Sequence, residues 1–170
     1  MMEKKNARLH RVYYLDTSVI VKLLVREKGS EVFTKYMKKE YASSTLYATT
    51  FCFAEALGVL KSKYLRKEIN EEAYFALSDV LSGFISKDNF IELVDVDISD
   101  SFIFDEVERI GKRNKLDVVD AYQIVTIKMD NSSRNDLKSE PILVTADSAL
   151  AEAARKEGLR AWNCLTELAP

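Results

Sequence analysis

The chain has 170 residues, 47% of them apolar, and a formal net charge of −2 from 25 basic and 27 acidic side chains. That length and apolar share suit one folded domain with a full core, taken as spanning 1–170, and exclude a chain disordered throughout. The near-neutral balance provides no strong global field for an anionic partner, so a nucleic acid would need a local basic patch or a metal.

The two cysteines, Cys52 and Cys164, show no CxxC spacing and no partner histidines. This argues against structural zinc and fits a reducing cytoplasm. The basic N-terminus, MMEKKNARLH, is followed by only a short apolar run, so neither a signal peptide nor a membrane span is expected.

The first element in chain order is a strand over 12–15 that runs into Asp16. A helix follows, with Ile20, Leu23 and Leu24 on one face. Gly29 punctuates, and 30–39 predict a second short helix. A weak strand is expected over 41–45 and a long helix over 48–63. Asn70 can cap the next helix, which carries Tyr74, Leu77, Leu81, Phe84 and Ile85 at core spacing. The two long helices are joined by a short basic turn and should pack as an antiparallel hairpin.

Further on, a strand is expected over 90–94 and helices over 102–112 and 117–128. The polar, aperiodic stretch 130–141 reads as an exposed loop. A strand over 142–145, a helix over 148–157 ended by Gly158, and a weak strand over 160–164 complete the chain. Strands alternate with helices almost throughout. That predicts a three-layer α/β/α domain around a central parallel sheet of four or five strands.

In open α/β sheets, sites form beyond the carboxyl ends of the strands. Asp16 ends the run VYYLD, Asp147 follows ILVTA, and Asp120 lies in the first turn of a helix in LDVVDA. Each alone reads equally as a helix cap, because a carboxylate favours the positive helix N-terminus, and Asp117 with Asp120 resembles a capping pair. Glu55 is different. Its helical neighbours include Phe51, Cys52, Gly58 and Val59, and Lys61 and Lys63 are placed on other faces. It is therefore expected to project from the apolar stripe, either towards a function, towards a distant arginine, or at a stripe edge that reaches water.

Converging carboxylates raise one another's pKa unless a cation neutralises them, and hard divalent ions prefer oxygen ligands. The chemistry best matched to an oxygen-only set is hydrolysis of a phosphodiester.

The segments YLDTSVIVKLL, TTFCFAEALGVL, LDVVDAYQIVTI and ILVTADSAL resemble the four acidic motifs of PIN domains, in family order and over nearly the whole chain. The subclass they most resemble is the VapC-type toxin ribonuclease of prokaryotic toxin–antitoxin pairs. The resemblance implies a PIN-like fold, Asp16, Glu55, Asp120 and Asp147 as catalytic and metal-binding acids, and Mg²⁺ or Mn²⁺ as cofactor. It also implies an RNA substrate cut to a 5′-phosphate and a 3′-hydroxyl, a small antitoxin protein as a possible partner, and a homodimer. Thr145 matches a hydroxyl that orients a ligand near the last acid. Two departures stand out: Asp117 replaces the usual Ser or Thr, and the loop 130–141 is longer than in compact members.

Basic residues cluster in KKNARLHR, in KSKYLRK after the Glu55 helix, and in GKRNK before Asp117. Lys112, Arg113 and Lys115 are expected nearest the acids, although each cluster also suits a solvated helix end. His10, the single histidine, is expected at the surface, which argues against histidine-based catalysis. Tyr47, Tyr64 and Tyr122 could stack bases but equally suit the core. Cys52 reads as a small apolar core residue. With five glycines, the chain has neither a Walker nor a dinucleotide loop. A phosphatase reading lacks the DxD motif that it needs at 16–18. The non-enzyme alternative is a catalytically silent PIN-like scaffold that binds RNA or protein.

Overall fold

The computed structural model describes residues 10–86, 90–133 and 141–170. Five strands form one all-parallel sheet: β1 (Arg11–Leu15), β2 (Ser44–Ala48), β3 (Glu92–Leu93), β4 (Ile142–Thr145) and β5 (Arg160–Asn163), in the order β3-β2-β1-β4-β5. Seven helices cover it: α1 (Thr17–Leu24), α2 (Ser30–Glu40), α3 (Thr50–Leu65), α4 (Glu71–Ser86), α5 (Ser101–Asn114), α6 (Val118–Ser133) and α7 (Ser148–Lys156). The fold is the expected three-layer α/β/α arrangement.

Alternation along each strand assigns the two layers, since successive side chains point to opposite faces. Tyr13, Leu15, Leu46, Ala48, Ile142 and Val144 join the core beneath α1 to α4. Val12, Tyr14, Tyr47 and Leu143 join the other core, with Ile110 of α5, Ile124 of α6 and Leu150 of α7. Val12 to Leu15 are all buried because β1 is central and covered on both faces.

The chain adds β2 and β3 on one side of β1 before returning to place β4 and β5 on the other. The order therefore reverses between β1 and β4, where open α/β sheets leave a crevice beyond their carboxyl ends. The backbone N–H of Asp16 donates to the Val144 carbonyl at 3.0 Å and closes the two strand ends together.

Several boundaries differ from the expected ones. Residues Tyr41–Ser43 form a 3₁₀ turn, and the strand starts at Ser44; the hydroxyls of Ser43 and Ser44 donate to the Glu40 carbonyl and hold the turn to the end of α2. The helix expected from 48 starts at Thr50, because Ala48 still belongs to β2 and Thr49 is the cap, its hydroxyl accepting from the Cys52 N–H at 3.1 Å. The strand expected over 90–94 shrinks to Glu92–Leu93. Phe90 and Ile91 give their N–H groups instead to the Phe84 carbonyl at the end of α4. Residues 130–133, expected in a loop, continue α6, and the Tyr14 hydroxyl donates to the Asp130 carboxylate. Residues 134–140 of that stretch lie outside the described residues. Asn70 does cap α4, accepting from the Ala73 N–H at 2.8 Å.

Candidate active site

The crevice is a cleft of about 330 Å³, lined by Asp16, Glu55, Asp117, Asp120 and Asp147, together with Glu27, Lys63 and Arg66. A larger cavity of about 560 Å³ lies between the end of α1 and α2. Its one carboxylate, Glu31, gives it no comparable chemistry.

Asp16 follows β1 directly and is the N-cap of α1, with its backbone extended at φ −73° and ψ 157°. Its Oδ2 accepts from the Ser18 hydroxyl at 2.5 Å, the Thr145 hydroxyl at 2.7 Å and the Ser18 N–H at 3.3 Å. Burial pushes its carboxyl above the usual carboxylate range, and the Ser18 and Thr145 hydrogen bonds oppose that shift. The Ser18 oxygen accepts from the Ala146 N–H at 2.9 Å, and the Thr145 oxygen accepts from the Asp147 N–H at 2.9 Å. The ends of β1 and β4 are thereby laced together around one carboxylate oxygen.

Asp147 caps α7, accepting from the Ala149 and Leu150 N–H groups at 2.6 and 3.1 Å. Asp117 caps α6, accepting from the Asp120 N–H at 2.9 Å. Capping is thus real at three of these positions, but a cap requires no second acid nearby. The group that records their convergence is Asp120. Burial first, then the negative charges of Asp16, Asp117, Asp147 and Glu55, push its carboxyl up to about 7.

Glu55 corrects the expectation of an inward-facing charge. It is exposed, on the edge of α3 between the buried Cys52 and Ala56 and the half-buried Val59, so the stripe-edge reading holds. Its Oε2 accepts from the Thr17 hydroxyl at 2.6 Å, which leaves the carboxylate tethered at the cleft wall. The cations are also differently placed than expected. Lys112 and Arg113 pair with Glu108 and Glu157, whereas Lys63, assigned to another face, lines the cleft with Arg66. Lys63 does not neutralise Glu55: its partners are Glu27 and Glu68, at 3.4 and 3.2 Å.

Sequence reasoning passed over Thr17 and Ser18, although two hydroxyls directly after a strand-end aspartate were the available signal. The tyrosines considered for stacking are structural. Tyr47 and Tyr122 are buried, and Tyr64 stacks on Tyr74 with ring centroids 5.4 Å apart. His10 is exposed and contacts the Thr45 hydroxyl, away from the acids.

The family model for the PIN domain matches residues 13–156. The chain belongs to the PIN-domain family. Solved structures that share its fold include two from prokaryotes. One is PAE2754 from Pyrobaculum aerophilum, with 18% identity, a TM-score of 0.54, and coverage of 89% of this chain and 90% of that one. The other is VapBC2 from Rickettsia felis bound to a DNA fragment from their promoter, with 15% identity, a TM-score of 0.53, and coverage of 89% and 97%. No curated protein matches the chain in sequence.

A divalent metal is the natural counter-charge in such a PIN domain. The donor set is oxygen only, as Mg²⁺ and Mn²⁺ prefer, and Asp120, raised first by burial and then by its acidic neighbours, is a carboxyl whose charged form a cation would favour. Among the described residues, no three of these acids stand close enough to enclose an ion. They line one cleft, with Asp16 fixed by two hydroxyls and Asp120 and Glu55 carried by separate helices. Among the described residues, no helix is long and apolar enough to cross a membrane.

Proposed function

We propose that the protein is a metal-dependent endoribonuclease that hydrolyses RNA phosphodiester bonds, the toxin of a VapBC-type toxin–antitoxin pair acting in the cytoplasm as a single PIN-like domain. The observation that carries the nuclease reading is the convergence of five carboxylates on one open cleft, where burial and then the charges of its four neighbours push Asp120 up to about 7. Asp16, Glu55, Asp120 and Asp147 are the residues to hold Mg²⁺ or Mn²⁺. When bound, the metal would activate water and stabilise charge on the phosphate and the leaving oxygen.

The chain's own part is positional. The Ser18 and Thr145 hydroxyls fix one oxygen of Asp16, and Thr17 fixes one oxygen of Glu55, so two acids are oriented before any ligand arrives. Asp120 exchanges its proton near neutrality, so binding of a cation there displaces a proton below about pH 7. The 5′-phosphate and 3′-hydroxyl products and the small antitoxin partner rest on the resemblance to VapC-type proteins.

The spacing of the acids favours one competing reading, a silent scaffold that binds RNA or protein without cutting. Incubation of labelled tRNA and structured RNA with Mn²⁺, with EDTA, and with an Asp16→Asn variant separates the two. Cleavage confined to the Mn²⁺ wild type supports the nuclease. RNA binding without cleavage under all three conditions supports the scaffold.

A further inference from the structure

The basic segment KSKYLRK, which forms the C-terminal end of α3 and the turn after it, is not used by the chemistry above, yet two of its cations lie in the same cleft. Lys63 and Arg66 line it with the acids. Arg66 is eleven residues beyond Glu55, close to three turns of helix, so both project from nearly the same line along α3, about 16 Å apart along the axis. Lys63 lies about 12 Å from Glu55 along the same axis.

This end of the cleft is electrically opposite to the other. Lys22 and Lys63 flank Glu27, at 2.7 and 3.4 Å, and Lys63 and Arg66 flank Glu68, at 3.2 and 3.0 Å. Of the residues that line the cleft here, Lys63 and Arg66 outnumber Glu27, a surplus of one positive charge, whereas Asp16, Glu55, Asp117, Asp120 and Asp147 make the rest of the lining acidic. The bonds differ in how firmly they are held. Lys22 is buried and fixed on Glu27, whereas Arg66 is 63% exposed and, among the described residues, pairs with Glu68, itself 45% exposed. An exposed pair of this kind exchanges its carboxylate for another anion at small cost.

Resting on the nuclease reading, we infer that Lys63 and Arg66 form a phosphate-holding subsite for single-stranded RNA a few nucleotides from the cleavage point, with Glu68 as the anion that a phosphate displaces. The geometry suits an extended strand along α3. One phosphate sits among the acids once a cation is present, and a phosphate a few nucleotides along the strand reaches the cation end. The same arrangement predicts that, without metal, the acidic end repels the strand and the residual attraction comes from Lys63 and Arg66.

The test uses the full-length protein and a fluorescein-labelled single-stranded oligoribonucleotide, with thermal melts confirming that each variant is folded. Binding is followed by anisotropy in EDTA at several salt concentrations, and cleavage by kcat and KM in Mn²⁺. Arg66→Ala should raise KM on the order of fivefold with kcat nearly unchanged. It should also reduce the slope of log affinity against log salt by about 0.7, the loss of one phosphate contact. Glu68→Gln should tighten binding by roughly twofold to fivefold, because it removes the competing anion. A purely structural ion pair predicts no such gain. If the wild type cleaves RNA but Arg66→Ala keeps its KM and salt slope, or Glu68→Gln weakens binding, the subsite is wrong and the nuclease reading stands. If the wild type neither binds nor cleaves RNA, both fall together.

Discussion

Thr17, the first residue of α1, donates its hydroxyl to Glu55 on α3 across 2.6 Å. Thr17 is buried and Glu55 is exposed, so the bond holds a solvent-facing acid from the protein side. Partners that orient metal-binding carboxylates commonly account for 10- to 100-fold in metal affinity (an order-of-magnitude range). Thr17→Val keeps the shape and removes the donor. Calorimetric titration with Mn²⁺ should show affinity reduced by about tenfold or more, with RNA cleavage falling in parallel. Unchanged affinity would show that Glu55 needs no such tether.

Glu55→Gln tests the acid itself. Because Glu55 is exposed, the metal-free protein should be equally stable or slightly more stable, as one like charge leaves the cleft. With Mg²⁺ or Mn²⁺, the wild type should gain thermal stability and the variant less, since a ligand stabilises in proportion to its binding. RNA cleavage should fall steeply. If the variant unfolds without metal and binds metal normally, Glu55 is structural.

Asp120 gives the pH dependence its sign. In the unfolded chain an aspartate releases its proton near pH 4, but in the folded, metal-free protein Asp120 holds it to about 7. Between these values the folded state binds more protons, so stability should fall as pH rises from about 4 to 7. Asp16, also raised, acts in the same direction. Melting temperatures in EDTA across this range should decline in the wild type and decline less in Asp120→Asn. Mn²⁺ should oppose the decline. A melting temperature in EDTA that rises with pH would contradict the picture of crowded acids.

Gln123 lies on α6, fully buried, with neither its Nε2 nor its Oε1 hydrogen-bonded among the described residues. An unsatisfied buried amide costs stability, and replacing it with an apolar side chain of similar size removes the cost. Gln123→Met should therefore leave stability unchanged or raise it by about 1 kcal/mol in urea denaturation. A clear loss would mean that the amide is engaged.

The homodimer implied by the resemblance to VapC-type proteins can be tested by mass in solution. Phe53 and Tyr74 pack partly against the core, whereas Leu65, Phe75 and Val80 of the α3–α4 hairpin are exposed. Light scattering at micromolar concentration should report twice the chain mass, and Phe75→Glu should shift it towards the monomer. A wild type that is monomeric throughout would remove the dimer.

The layer order and the strand-end acids were legible in the sequence because both are consequences of short-range patterning. Alternating apolar runs and helical periods dictated the α/β/α stacking, and an acid directly after an apolar strand must emerge at its carboxyl edge. The edges of elements were less legible. Ser44 to Ala48 became β2, rather than 41–45, because hydroxyls of Ser43 and Ser44 close a turn onto the Glu40 carbonyl, and local propensity does not reveal such competition.

Tertiary packing alone decided which charges meet. Lys112, Arg113 and Lys115 precede Asp117 in the chain, yet Lys63 and Arg66, more than fifty residues before Asp120, line its cleft. Lys112 and Arg113 are drawn to Glu108 and Glu157, while α3, packed against α1, brings cations at its C-terminal end to the cleft. Periodicity tells which face of a helix is apolar. It does not tell where along a neighbouring sheet that face will rest, because that position is set by the summed packing of side chains distant in sequence.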